Sequence, residues 1–223
     1  MNKLDMNNGG AAMRIQDASR TRSIAFIALT IAIIAVSAWI TVPLGPIPFT
    51  LQMFAITFAI VVLKPHEAII AIAGYLLLGA VGLPMFSGMR GGIGVLAGPT
   101  GGFLWGYMLG VPAAVAFLHF VRTHTNWDIH SERARAEAAK VDNPSLGTKI
   151  ALFLRSAGIE VLAGVLFTAI AYVCGMLQYM AISQVGIDVA FATCCAPFIV
   201  VDLAKIVAAV LVAQQVRAVV GRS

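Results

Sequence analysis

Charged residues are scarce in this sequence, where they make up 11% of 223 residues against roughly 25% in an average soluble protein. Hydrophobic residues make up 60% of the chain. A soluble domain of this length has too little interior to bury so much apolar surface. The shortage of charge therefore excludes an ordinary soluble protein and predicts a protein that lies in a lipid bilayer.

Several motifs of catalysis and metal binding are also absent. The glycine-rich stretch 94–102 resembles a phosphate-binding loop but lacks the lysine that reaches the phosphates, so we do not expect ATP hydrolysis by that route. The three cysteines and four histidines do not have the spacing of metal ligands, so we expect no metal site. Ser87 and Thr100 have no histidine or lysine partner at a recognisable spacing. Nothing in the sequence requires an enzyme.

Long apolar runs predict an all-α, polytopic membrane protein with six transmembrane helices, because about 20 mostly apolar residues cross a bilayer. The first run has no small-residue cleavage site, so we interpret it as a retained helix rather than a signal peptide. Pro99 suits the first position of a helix. The predicted spans are 22–42, 51–64, 67–82, 99–121, one within 150–178 and one within 197–218.

Lysine and arginine residues bracket the apolar runs, so we interpret the net charge of +5 as a signal for membrane topology rather than for nucleic-acid binding. Cytoplasmic flanks collect these residues. The loops 43–50, 83–98 and 179–196 contain only Arg90, so we expect them to face outward, with both termini in the cytoplasm. The predicted parts are a mobile cytoplasmic tail over 1–21, a membrane domain over 22–218 with a polar cytoplasmic connection over 122–149, and a tail over 219–223.

Four polar residues stand out because charge inside a membrane costs from roughly 3 to more than 10 kcal/mol. Asp202 and Lys205 are three residues apart and share one helical face. Arg90 and Gln52 belong to the same outer half, which predicts a polar pocket that opens outward. Three structural alternatives stay open: an internal ion pair for Asp202 and Lys205, contact with lipid phosphate for Arg90, and satisfaction of loop backbone for Gln52.

Glu160 is a separate case, a turn or two inside the fifth span. Arg155 is five residues away, which is poorly placed for an ion pair within one helix. We expect Glu160 to be neutralised structurally near the cytoplasmic end of the helix.

Glycine recurs at every fourth position from Gly94 to Gly110. Small residues at this interval make a flat helix face, so this pattern predicts close helix packing. Its predicted members are Gly98, Gly102, Gly106 and Gly110. Gly91, Gly92 and Gly94 are expected to give the preceding loop backbone freedom. A second small-residue face on the first helix, around Ala28 and Ala32, predicts either docking of another membrane protein or packing within the bundle.

Three stretches, "GPIPFTLQ", "GLPMFSGMRGGIGVLAGPTGG" and "PFIVVDLAKIV", closely resemble the BioY family, the biotin-specific substrate-binding components of energy-coupling factor transporters. The resemblance covers about residues 22–218. It implies a six-helix protein of the bacterial cytoplasmic membrane that binds biotin on the outer side and has no covalently bound cofactor. It also implies a membrane coupling subunit, docked through Ala28 and Ala32, and two cytoplasmic ATPases that alone use ATP and drive a toppling motion.

The resemblance suggests roles for the polar residues. Asp202 would accept hydrogen bonds from the ureido N–H groups, while Lys205 would donate to the ureido carbonyl or neutralise Asp202. Arg90 would pair with the valerate carboxylate, since a guanidinium offers a planar fork, although Arg90 and Lys205 could exchange roles. The remaining candidates for the site are Thr50 and Gln52 as hydrogen-bond partners, Gly91 in a lid, and Phe49, Trp105 and Tyr107 against the apolar rings. Ordinary core packing is the alternative for the three aromatic residues. The alternatives are a binding component for another vitamin and a small membrane enzyme acting on a lipid-like substrate.

Overall fold

Helices account for most of the regular structure in this computed structural model, which describes the backbone of residues 3–43, 45–124 and 146–220 and the side chains of 19–43, 45–124 and 156–217. Two short strands, β1 (Thr41–Val42) and β2 (Phe49–Thr50), pair antiparallel, with Thr41 opposite Thr50. A 3₁₀ turn covers Ser87–Met89. The helices are α1 (Lys3–Trp39), α2 (Gln52–Val62), α3 (Pro65–Ala80), α4 (Ile93–Leu96), α5 (Gly101–His124), α6 (Leu146–Ser183), α7 (Ile187–Cys194) and α8 (Ile199–Val220).

Among the described residues, four helical segments are long and apolar enough to cross a membrane, and the chain is a multi-pass membrane protein. They are Ser19–Trp39, Gly101–His124, Ser156–Ser183 and Ile199–Arg217. The second and third predicted spans correspond to α2 and α3, which are apolar but have only 11 and 16 residues. Each of the six predicted transmembrane segments therefore corresponds to a helix, but among the described residues only four of these helices are long enough to cross a membrane, and six crossings stay a prediction.

The sequence at the α2–α3 junction explains why the two helices separate there. Lys64 has an extended backbone conformation, which is favoured for a residue before proline because the proline ring disfavours the helical region. Pro65 then begins α3, where its missing N–H costs nothing. The Glu67 carboxylate accepts a hydrogen bond from the Lys64 backbone N–H at 3.2 Å, which caps the new helix.

Glycines let α5 lie directly against α6. A side-chain carbon on Gly102 would overlap the carbonyl oxygen of Cys174, and one on Gly106 would overlap the Cα of Ala171. Further along, a side-chain carbon on Gly110 would make a tight contact of 3.0 Å with Phe167. Because lipid is as apolar as these side chains, helix association in a membrane depends on such close contact. α5 and α6 are accordingly the most extensively packed helix pair, while α2 packs on α8 and α1 on α3.

Several predicted boundaries need correction. α1 begins at Lys3, so the segment expected to be a mobile tail is helical. α5 begins at Gly101, so Pro99 precedes the helix instead of opening it. Gly98 also lies before α5, and a side-chain carbon there would meet the carbonyl of Gly94 in its own turn rather than a neighbouring helix. The packing face therefore begins at Gly102.

The outward loops predicted from the sequence contain more structure than expected. The first carries the β1–β2 pair, so the class is not purely helical. The third is shortened because α6 continues to Ser183 and α7 follows. Most of the polar connection predicted over 122–149 lies outside the described residues, at 125–145.

The cysteines are free thiols, of which Cys194 and Cys195 are buried. Burial raises the pKa of the Cys194 thiol to about 11, so it stays protonated at neutral pH. A buried protonated thiol behaves as a small hydrophobic side chain. Among the described residues, no three histidine, cysteine, aspartate or glutamate side chains are close enough together to hold a metal ion.

Candidate ligand-binding site

A partly open cavity of about 50 Å³ lies between the β2 segment, the start of α2, the loop after α3 and the first turns of α5. Four of the predicted site residues line it: Thr50, Gln52, Arg90 and Tyr107. The rest of the lining is largely apolar, with Phe86 and Phe103 among its members. This combination of apolar walls and a few converging polar groups is typical of small-molecule sites.

Gln52 lies at the buried floor of this cavity, in the first turn of α2. Its Nε2 donates a hydrogen bond to the Tyr75 hydroxyl at 2.7 Å, and its Oε1 accepts one from the Thr50 hydroxyl at 3.2 Å. The Tyr75 hydroxyl donates in turn to the carbonyl of Met85 at 3.0 Å. The side chain of Gln52 is thus held by other side chains rather than by loop backbone.

The segment 84–92, which we call the lid loop, covers one side of the cavity. Within it, residues 86–90 form a turn that is closed by a hydrogen bond from the Phe86 N–H to the Arg90 carbonyl at 2.9 Å. Gly92 has a φ of +95°, a conformation that favours glycine, and its N–H donates to the Gly79 carbonyl at 2.7 Å. Gly91 passes so close to the carbonyl of Leu83 that a side chain there would overlap it.

Arg90 projects from the lid loop and is exposed. Its Nε donates to the carbonyl of Ser87 at 3.1 Å, which orients the guanidinium. Among the described side chains, no carboxylate forms a salt bridge with Arg90. An oriented guanidinium at a cavity mouth is suited to bind a carboxylate in a bidentate manner.

Asp202 and Lys205 form a buried ion pair in the first turns of α8, with Lys205 Nζ 2.8 Å from Asp202 Oδ1. The second carboxylate oxygen of Asp202 accepts a hydrogen bond from the Tyr172 hydroxyl at 2.7 Å. Lys205 also donates to the carbonyl of Thr50 at 2.6 Å and lies 3.5 Å from the centre of the Phe49 ring. Neither charged residue lines the cavity, but Thr50 contacts both the cavity and the ion pair.

The three aromatic candidates lie in different surroundings, and only one of them lines the cavity. Phe49 stacks on Phe198, with 6.0 Å between ring centres, and covers the ion pair. Tyr107 is buried at the cavity wall and packs on Phe167. Trp105 is 49% exposed, does not line the cavity, and donates from its indole N–H to the Leu96 carbonyl at 3.3 Å. Its expected contact with a ligand ring therefore does not match its position, because the adjacent glycine face turns it away from the bundle.

A family model described as the BioY family matches residues 12–222. This chain belongs to the BioY family. The resemblance seen in the sequence is thereby confirmed, and with it the expectation of a transport component rather than an enzyme.

Relatives of this BioY family member include the biotin transporter BioY of Thermotoga maritima, 53% identical over 79 residues, which are 35% of this chain and 47% of the relative. The biotin transporter BioY2 of Lactococcus lactis subsp. cremoris is 39% identical over 121 residues, 54% of this chain and 60% of the relative. A probable biotin transporter BioY of Pyrococcus horikoshii is 41% identical over 85 residues, 38% and 52% of the two chains. The aligned stretches span about half the length of these relatives.

The fold is also similar to a crystal structure described as the S-component for biotin from an ECF-type ABC transporter. The TM-score is 0.68 at 21% sequence identity, and the match covers 90% of this chain and 93% of the other. At this identity the similarity shows a shared fold for the BioY family member. It agrees with the predicted helical membrane architecture.

A second polar cluster lies at the opposite end of α6 and α8. Glu160 is almost fully buried, and its Oε1 accepts hydrogen bonds from Arg217 at 2.5 Å and Arg122 at 3.4 Å. Its Oε2 accepts one from Gln214 at 3.0 Å. The expected structural neutralisation thus has partners on α5 and α8, which the sequence search missed because they are 38 and 57 residues away.

Three residues near the cavity also escaped the sequence analysis. Tyr75 and Tyr172 bind Gln52 and Asp202 through their hydroxyls. Gln178 donates from its Nε2 to the carbonyls of Leu96 and Gly98, both at 2.8 Å, and so ties α6 to the segment that follows the lid loop. Each of these residues has a polar group within an apolar helical run, and this is the feature of the sequence that could have marked it as a candidate for a buried hydrogen bond.

Proposed function

We propose that this BioY family member is the biotin-binding component of an energy-coupling factor uptake transporter. In this proposal it lies in the bacterial cytoplasmic membrane, crosses it six times with both termini in the cytoplasm, and takes up biotin from the outer side. The observation that carries the proposal is the position of Thr50, which lines the cavity and whose carbonyl accepts a hydrogen bond from Lys205. The cavity and the buried ion pair are therefore two parts of one site.

The chemistry of biotin suits the two ends of this site. Its carboxylate is costly to bury, so it belongs at the open mouth, where Arg90 is exposed and oriented. Its ureido ring is neutral and carries two N–H donors and one carbonyl acceptor, so it can enter the buried end. There Asp202 is the acceptor for the N–H groups and Lys205 the donor to the carbonyl. Gln52 and Thr50 complete the hydrogen bonds between the two ends.

The size of the cavity implies that the ligand enlarges it. A water molecule needs roughly 10–15 Å³ of such space, so a cavity of about 50 Å³ holds a few waters but not a bicyclic ligand. We propose that the lid loop moves to admit the ligand, because it covers one side of the cavity and carries the exposed Met89 and Arg90. Phe49 is the second such element in this proposal, because its ring lies directly against the Lys205 ammonium group. Entry of biotin is expected to shift both.

The partners we propose are a membrane coupling subunit and two cytoplasmic ATPases, which supply ATP-driven delivery of biotin inward. Ala28 and Ala32 are both exposed on α1, which supports their assignment as the docking face for the coupling subunit. Small exposed residues in a membrane helix allow a second helix to approach closely. The chain itself is not assigned a bound cofactor.

The test is titration calorimetry of the purified protein in detergent with biotin, thiamine and riboflavin. Binding of biotin alone, at one molecule per chain, is the expected result. Tight binding of thiamine or riboflavin instead would assign the site to another vitamin. A folded protein that binds none of the three would overturn the proposal, and the polar residues would then have a purely structural role.

A further inference from the structure

We propose that Tyr75 is a positioning residue that fixes the amide of Gln52 and ties the floor of the cavity to the lid loop. Tyr75 lies on α3 and is fully buried, without lining the cavity itself. Its hydroxyl joins the Gln52 amide, at 2.7 Å, to the Met85 carbonyl, at 3.0 Å. The inference rests on the proposed function for the identity of the ligand, but the link between floor and lid stands on these contacts alone.

The direction of each hydrogen bond in this chain is determined by its last member. A backbone carbonyl can only accept, so the single proton of the Tyr75 hydroxyl points to Met85. The lone pairs of the hydroxyl then face Gln52, which must turn its NH₂ group towards them. The Gln52 carbonyl consequently faces Thr50 and the cavity, which agrees with the hydrogen bond it accepts from the Thr50 hydroxyl. Tyr75 thus makes the floor of the cavity an acceptor of hydrogen bonds.

An acceptor at this place selects for ligands that present an N–H group. The Gln52 carbonyl has two lone pairs, of which Thr50 uses one. The other can accept from a ureido N–H, whereas a ligand with a carbonyl at the same position would face repulsion. If the Gln52 amide were reversed, its NH₂ group would face the cavity and would favour a ligand with a carbonyl at that position. Tyr75 therefore acts on ligand selection through Gln52, although it does not touch the ligand.

The same hydroxyl gives the lid loop a buried attachment. Within the described part of the chain, the other side-chain hydrogen bonds that join this loop to the rest of the protein come from groups that are exposed or half-buried. Trp39 donates to the Pro84 carbonyl at 2.7 Å, and Thr41 and Ser87 share a hydrogen bond of 3.2 Å. The ring of Tyr75 also packs edge-on against Phe86, with 5.6 Å between ring centres. A ligand that engages Gln52 and a lid that closes over it are therefore mechanically connected through Tyr75.

The direct test is Tyr75→Phe, which removes the hydroxyl and keeps the ring. Biotin should dissociate about tenfold faster with little change in the association rate, because a buried hydrogen-bonded link to the lid is lost. Amide hydrogen exchange of residues 85–92 should rise in the ligand-free protein. Discrimination between biotin and N-methylated biotin should fall, because the Gln52 amide is free to reverse. Tyr179→Phe is the matched control, since Tyr179 is also largely buried, but among the described residues no hydrogen bond joins its hydroxyl to Gln52 or to the lid loop.

The proposal is overturned if Tyr75→Phe lowers thermal stability like the control while lid exchange, biotin release and discrimination stay unchanged. Should Tyr75→Phe fail to fold, Gln52→Glu tests the same chain from its other end. A carboxylate at position 52 accepts the proton of the Tyr75 hydroxyl, so the hydrogen bond to the Met85 carbonyl is lost and exchange of residues 85–92 must rise. Unchanged exchange in folded Gln52→Glu would likewise overturn the link. The hydrogen-exchange measurement needs no ligand, so the two proposals can fail independently. Wild-type protein that does not bind biotin would overturn the proposed function, whereas the link between floor and lid would still be decided by the exchange of residues 85–92.

Discussion

Two buried carboxylates lie at opposite ends of the α6–α8 pair, and their surroundings differ in kind. Glu160 is enclosed by donors from two other helices, with both of its oxygens engaged. Asp202 is paired within its own helix and adjoins, through Thr50, a cavity whose mouth carries Arg90. Burial of charge is therefore common to both ends. What distinguishes the proposed ligand site is the cavity and a cation, Arg90, with no carboxylate partner among the described residues.

The largest effect is expected from breaking the α5–α6 contact that both ends share. Gly102→Leu places a side chain where the carbonyl of Cys174 already lies, so the helices must separate. We expect little folded protein to be recovered, as measured by size-exclusion chromatography in detergent. Gly158→Leu is the control, because nothing lies within 4 Å of a side-chain carbon at that position. Normal recovery of Gly102→Leu would contradict the packing role.

Removing the carboxylate of the enclosed cluster should lower stability without changing ligand affinity. Glu160→Gln leaves the largely buried Arg217 without its counter-charge, at a cost of roughly 3–5 kcal/mol in the free energy of unfolding. Arg122→Gln should cost less than about 1 kcal/mol, because that side chain is 40% exposed. Both are measured by detergent-based unfolding titrations. A changed biotin affinity in folded Glu160→Gln would contradict the claim that the Glu160 cluster stabilises the fold without taking part in binding.

At the cavity end, loss of charge should act on binding. Asp202→Asn is expected to weaken biotin binding by at least about 2 kcal/mol, since a charged acceptor for the ureido N–H groups is lost. Titration calorimetry measures the change, and Tyr172→Phe, which removes one hydrogen bond to Asp202 but no charge, should cost less. Unchanged affinity in folded Asp202→Asn would make the pair purely structural, like Glu160.

The smallest effect is expected at the exposed mouth. Arg90→Ala should weaken biotin binding by about 1 kcal/mol, because solvent screens an exposed ion pair. Raising the salt concentration should weaken wild-type binding more than binding by the variant. Biotin methyl ester, which lacks the carboxylate charge, should bind both proteins equally. If the ester binds the wild-type protein more tightly than Arg90→Ala, Arg90 does not act through the biotin carboxylate.

The features predicted well from the sequence are those with a local signal. The break at Pro65 follows from the geometry of one residue, and the glycine spacing in α5 follows from helix periodicity. The fold of the family followed from three contiguous motifs. Thr50, Gln52, Arg90 and Tyr107 come from separate parts of the chain and do line one cavity.

The features predicted poorly depend on which way a membrane helix faces. Trp105 was assigned to the site although it lies outside, because lipid and protein interior are both apolar and composition cannot tell one face from the other. Tyr75 was missed because its importance comes from contacts with residues 23 and 10 positions away. The partners of Glu160 are likewise set by tertiary structure.

In the proposed arrangement of six membrane crossings, the shortness of α2 and α3 makes the free energy of this protein depend on the thickness of the bilayer. At 16 residues α3 is about 24 Å long, roughly 6 Å less than the hydrocarbon layer it meets. α2 is shorter still but mostly buried, so the mismatch falls on the exposed side of α3. Lipid beside α3 must thin, at a fraction of a kcal/mol for each ångström. The resulting deformation of the bilayer lies on one side of the molecule. A neighbouring membrane protein whose hydrophobic surface is equally short would relieve it.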